Sequence, residues 1–122
     1  MDAKEVGTKL VELCKQGKNM EAVETLYDHD IVSVEAQATP AMPAEMKGIG
    51  AIRGKHEWWV ANHEIHSASA EGPFVNGDRF SAIFEYDVTA KDGPMKGKRF
   101  TMKEVALYTV EDGKVVREEF LY

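Results

Sequence analysis

At 122 residues, with 43% apolar and 30% charged side chains, the chain has the size and balance of one folded globular domain, 1–122, and not of a disordered segment. Its net charge of −6, with lysines and arginines scattered among the acids, argues against nucleic acid or an anionic membrane as a partner. No apolar run approaches the roughly 18 residues of a membrane span, and Met1-Asp2-Ala3-Lys4-Glu5 is unlike a signal peptide, so a cytoplasmic location is the default expectation.

The first half is helical in pattern. Val6, Leu10, Leu13 and Cys14 recur at helical spacing, and Gly17 supplies a stop. Gly7 lies inside this helix and costs it about 1 kcal/mol against alanine. Cys14 is the single cysteine, which excludes an internal disulfide, and its place on the apolar stripe predicts a buried, inert thiol. Asn19 is placed to cap a second helix with Met20, Val23, Leu26 and Tyr27 on one stripe, ended by Asp28-His29-Asp30. Ile31–Glu35 alternates as a short strand. Pro40 and Pro43 then predict a loop from Ala36 to Gly48, long enough to border a site and to act as a lid. A third helix starts near Gly50, with Ile52, His56, Trp59 and His63 on one stripe.

After Glu64 the period becomes two. Asn76-Gly77, Lys91-Asp92-Gly93-Pro94 and Asp112-Gly113 mark three turns joining four long strands into an antiparallel meander. Phe80, Ala82, Phe84, Tyr86 and Val88 share one face. Met102, Ala106, Tyr108 and Val110 share another, with Glu104 an acidic exception among them. This predicts an α+β fold, three helices packed on a curved, mainly antiparallel sheet with a conical gap between the layers. The opposite faces are apolar too, at Ile83, Val105 and Leu107, and one layer of helices cannot cover both sides. A homodimer is the expected consequence.

The element order resembles the cone-shaped nuclear transport factor 2-like superfamily. Leu26-Tyr27-Asp28-His29-Asp30-Ile31-Val32, Lys47-Gly48-Ile49-Gly50-Ala51-Ile52-Arg53, Gly77-Asp78-Arg79-Phe80 and Asp112-Gly113-Lys114-Val115-Val116 are similar to its SnoaL-like branch. The resemblance covers essentially the whole chain and implies a pocket for a small apolar molecule. It also implies, among other roles, polyketide cyclase, ketosteroid isomerase or dehydratase chemistry without a cofactor. The noncatalytic alternatives are a small-ligand binder and a dimeric interaction module.

Glu35 stands where isomerase-like members place their carboxylate base, although it is followed by Ala36 where the family pattern usually has proline. A carboxylate beside an apolar cone suits proton transfer next to a carbonyl. His63 or His66 is a candidate second proton carrier, and Tyr27, His63 or Tyr108 a candidate electrophilic partner for a substrate oxygen. Tyr27, Trp59, Phe84 and Glu104 are candidate ligand-binding residues. By the register from Gly113, Ala106 falls nearest the protonated acid of the isomerase branch, so that donor pair is not reproduced. His63-Glu64-Ile65-His66 lacks the helical four-residue spacing of the zinc-protease motif, and no metal or cofactor is expected.

Overall fold

A computed structural model of the chain describes residues 1–40 and 42–122. The elements run α1 (Ala3–Lys15), α2 (Asn19–Leu26), β1 (Tyr27–Val34), β2 (Glu45–Lys47), α3 (Ile49–Asn62), β3 (His63–Asn76), β4 (Arg79–Ala90), β5 (Arg99–Glu111) and β6 (Lys114–Leu121). The strands form a mixed sheet in the order β2-β1-β6-β5-β4-β3, antiparallel except where β1 runs parallel to β6. The expected α+β architecture is therefore present, with corrections. The helices are not all N-terminal, because α3 follows the first two strands. The Ala36–Gly48 segment is not wholly irregular. Past Pro43 the backbone is free to donate, and β2 pairs antiparallel with Val32–Val34. Ala41, within that segment, lies outside the described residues.

Local chemistry explains most boundaries. Asp2 caps α1 by accepting from the Glu5 amide at 2.9 Å, and Gly17 ends it with its amide bonded to the Cys14 carbonyl. Asn19 does not cap α2; it is the first helical residue, and Lys18 holds the cap position without a side-chain bond. The β3–β4 turn closes one residue later than the Asn76-Gly77 signal, since Asn76 pairs with Arg79 and leaves Gly77-Asp78 as the loop. Asp112 and Gly113 both adopt positive φ, 49° and 76°, the type I′ combination that matches the twist of its strands.

One core lies between the helices and the inner sheet face. Val6, Leu10, Val23 and Ile52 from the helices belong to it with Ile31, Phe80 and Tyr108 from the strands. Gly7 now has a reason to be glycine. A Cβ there would stand 2.8 Å from Cβ of Pro73 and 3.0 Å from the Phe80 ring, so the missing side chain sets how closely α1 approaches the sheet.

The pairing of β5 with β6 steps from Thr109–Arg117 to Val110–Val115, which leaves Val116 as an extra, bulged residue. The bulge changes which residues of β6 face inward. Val115 and Glu118 are both buried, three apart, where strict alternation would turn one of them outward.

Candidate active site

Between the helices and the sheet lies a cavity of about 730 Å³. Leu10, Val23, Ile52, Phe84, Met102 and Phe120 supply much of its apolar wall. Trp58 and Trp59 line it from α3, and Trp58, Val60 and Ile65 of its lining are partly exposed to solvent. Gln37, Thr39, Met42 and Pro43 of the segment before β2 also border it.

The polar groups gather on one wall, and strand register explains why. Ser33 of β1 pairs with Glu118 of β6, Glu118 with Tyr108 of β5, and Tyr108 with Phe80 of β4, so four inward side chains form a row across the sheet. Glu118 is 2% exposed and accepts from two hydroxyls, Tyr27 Oη on one oxygen and Ser33 Oγ at 2.8 Å on the other. Burial pushes its carboxyl up, while Lys55 and the two hydroxyls work the other way. Lys55 of α3 donates to Ser33 Oγ at 2.9 Å and forms an ion pair with Glu35, with only 19% and 23% of the two side chains exposed. Its Nζ also lies 4.6 Å from the centre of the Phe120 ring, a cation–π distance.

Glu104 comes from β5 opposite Phe84. Desolvation first, then the negative charge of Glu35, lifts its carboxyl from 4.5 to about 7, with Lys55 partly offsetting the rise. Its neutral form can donate a hydrogen bond near neutral pH, and its ionised form can accept a proton. Tyr108 is 2% exposed, stacks on Phe80 at 4.7 Å and lines the cavity. Burial, reinforced by Glu118, raises its phenol well above the ordinary value, so it remains a neutral donor.

Apart from His66, the candidate residues singled out from sequence line this cavity, in two groups. Glu35, Glu104, Tyr108 and Tyr27 belong to the polar wall. The Tyr27 hydroxyl is committed to Glu118. His63 belongs to the aromatic end: its ring stacks on Trp59 at 3.8 Å, meets Phe100 edge-on, and its Nδ1 bonds to the Trp59 carbonyl at 3.0 Å. That bond makes Nδ1 the donor and leaves Nε2 as the free ring nitrogen. Phe84 stacks beside Tyr86, with ring centres 6.4 Å apart, and Tyr86 in turn lies 5.9 Å from the Trp59 ring. His66 turns elsewhere and bonds to Thr89 at 2.7 Å.

Sequence reasoning missed Lys55 and Glu118. Lys55 was legible, because it lies three residues after Ile52 and four before Trp59 on the same helical stripe. Glu118 was not, because only the bulge at Val116 turns it inward.

Helices nested in a curled meander, with a cavity between them, form the cone architecture of nuclear transport factor 2-like proteins. One such protein from Burkholderia thailandensis superposes with a TM-score of 0.81 at 15% identity, covering 99% of this chain and 90% of that chain. A Catenulispora acidiphila protein with a ketosteroid isomerase-like fold, solved in complex with trimethylamine, gives 0.71 at 22% identity, covering 97% and 85%. A Mesorhizobium loti protein described as a SnoaL-like polyketide cyclase and, in the same description, as a carbohydrate phosphatase is nearer, with 46% identity over 100% of both chains and a TM-score of 0.92. The SnoaL-like domain profile matches residues 1–122, and the chain belongs to that family. No curated protein matches the sequence. Among the described residues, no helix is long and apolar enough to cross a membrane.

Proposed function

We propose that this protein is a cofactor-independent isomerase, cyclase or lyase that moves a proton next to the carbonyl of a small, mostly apolar molecule. The observation that carries this reading is the Glu35–Lys55 ion pair, set into the wall of a largely apolar cavity beside Glu104 and Tyr108. Glu35 acts as the base. Tyr108 and neutral Glu104 are donors in reach of the same wall for substrate oxygens, and His63 carries a second proton at the aromatic end. Tyr27, Trp59 and Phe84 shape the space the substrate fills. The similar Mesorhizobium protein is described both as a polyketide cyclase and as a carbohydrate phosphatase, and the first of these supports a carbonyl substrate.

Exchange of α-protons in D₂O, followed by NMR, tests this on small cyclic ketones and 1,3-diketones. The protein should accelerate exchange of at least one of them. Glu35→Gln should slow that exchange by about 10² to 10⁴, the usual contribution of a general base, while Trp58 and Trp59 fluorescence still reports binding. Exchange undiminished in Glu35→Gln would overturn the assignment.

We also propose that the working form is a homodimer. Ile83, Val105 and Leu107 lie half-buried on the sheet face opposite the core, among ion pairs that include Lys103–Glu85. A second copy of that face supplies both apolar cover and matching charge. Light scattering at micromolar concentration should give twice the chain mass, and Leu107→Lys should halve it; a monomeric parent protein ends this proposal.

A further inference from the structure

The half-buried cation of the polar wall is given no chemical step in the scheme above. Lys55 reaches the cavity from α3 and is held there by three independent contacts, the Glu35 carboxylate, the Ser33 hydroxyl and the Phe120 ring. An ammonium has three N–H donors. Two are directed at Glu35 and Ser33, and among the described residues the third has no hydrogen-bond partner. Ser33 is itself fixed, since it donates to Glu118, whose other oxygen takes the Tyr27 hydroxyl. The lysine therefore sits on a rigid base with one donor to spare.

We propose that Lys55 is the electrophilic partner of Glu35, holding the substrate's carbonyl oxygen and taking it as a new counter-ion when Glu35 is protonated. This rests on the reading of Glu35 as base. The step balances within the pair. The α-carbon proton passes to Glu35, the C–H electron pair becomes a carbon–carbon π bond, and the carbonyl π pair moves onto oxygen. Before the step the pair is a carboxylate and an ammonium; after it, a neutral acid, the same ammonium and an enolate. No charge enters or leaves the wall, and the attraction that Lys55 loses at Glu35 reappears at the oxyanion. Such a compensation occurs only in the transition state and intermediate, which is where binding energy accelerates a reaction. Glu104 and Glu118 face the same ammonium, so its loss would leave three carboxyl groups with an added oxyanion and no cation among them.

Glu35→Gln freezes the neutral-acid stage and frees Lys55 for an external anion. The probe is 2-naphthol, a planar apolar alcohol whose ionised form mimics an enolate and is distinguished by absorbance. Bound to Glu35→Gln, its ionisation midpoint should fall by about one pH unit below that of free naphthol, the lower end of the usual effect of an opposite charge at contact, because Glu104, ionised above about pH 7, faces the same ammonium. In the parent protein, where Glu35 occupies Lys55, no such fall is expected. Lys55→Met in the Glu35→Gln background should abolish the fall while the neutral alcohol still quenches tryptophan fluorescence, and Lys55→Arg should restore it. If Glu35→Gln binds naphthol without lowering its midpoint, Lys55 is not the oxyanion partner, whatever the double variants do. The same holds if the fall survives Lys55→Met, which would point to Tyr108, and in both cases Glu35 as base stands. Failure of every form to bind naphthol at all would remove the small apolar oxygen compound as ligand, and the proposal with it.

Discussion

Replacing Glu104 by glutamine should make the protein more stable at slightly alkaline pH and leave it unchanged in mild acid. Glu104 projects from a central strand into the cavity wall, where burial and then Glu35 disfavour its ionised form, carrying its carboxyl from 4.5 to about 7. Each tenfold change in proton affinity is worth about 1.4 kcal/mol, so the ionised group costs the folded state roughly 3 kcal/mol relative to the unfolded chain. Because the folded value is the raised one, the unfolded chain gives up this proton first. The stability contributed by neutral Glu104 is full below about pH 4.5, declines between 4.5 and about 7, and is gone above. Glutamine keeps the shape and cannot ionise. Urea unfolding followed by tryptophan fluorescence should therefore give equal stabilities for parent and Glu104→Gln near pH 4.5. The variant should lead by about 2–3 kcal/mol near pH 8. A lead that is the same at every pH would refute the reasoning, because packing and not charge would then be its source. So would a variant less stable at pH 8.

Two further outcomes follow from the packing. Gly7→Ala should destabilise by about 1–3 kcal/mol in denaturant unfolding despite alanine's better helix propensity, because the new methyl meets Pro73 at 2.8 Å and the Phe80 ring at 3.0 Å; an equally stable or stabilised variant would show that α1 shifts freely. The Cys14 thiol, pushed by burial from 9.0 to about 12, should react with iodoacetamide at pH 8 about a thousandfold more slowly in the folded protein than in urea, and comparable rates would refute that shielding.

The fold was largely legible because its signals are local. The stripe Val6, Leu10, Leu13 reports a helix, and Phe80, Ala82, Phe84, Tyr86, Val88 reports a strand, without reference to anything distant. Failures at this level were small and had local causes. The three residues of β2 are too few to show a period beside Pro40 and Pro43. The β3–β4 turn closed on Gly77-Asp78 because pairing of Asn76 with Arg79 overrode a dipeptide preference.

The candidate site is a different kind of object. Ser33 and Glu118 touch although 85 residues separate them, and they do so only because β1 lies parallel to β6 in one register. Shift that register by a single residue and Ser33 would face a side chain from the other side of the sheet. The inward turn of Glu118 depends further on one bulged residue, Val116, which breaks the alternation any sequence pattern assumes. Glu35 and Glu104 could be named in advance because each stands out locally, one at a strand end and the other as an acid among apolar neighbours. What no local signal shows is the register that brings them together. Glu118, Ser33 and Lys55 turn two isolated acids into a wall where carboxyl groups face one ammonium, with burial raising the carboxyls of Glu104 and Glu118 and Lys55 partly offsetting that rise. The arrangement of the candidate site thus rests on long-range register, so a substitution at Val116 that removed the bulge would break the row of inward side chains without replacing any residue that lines the cavity.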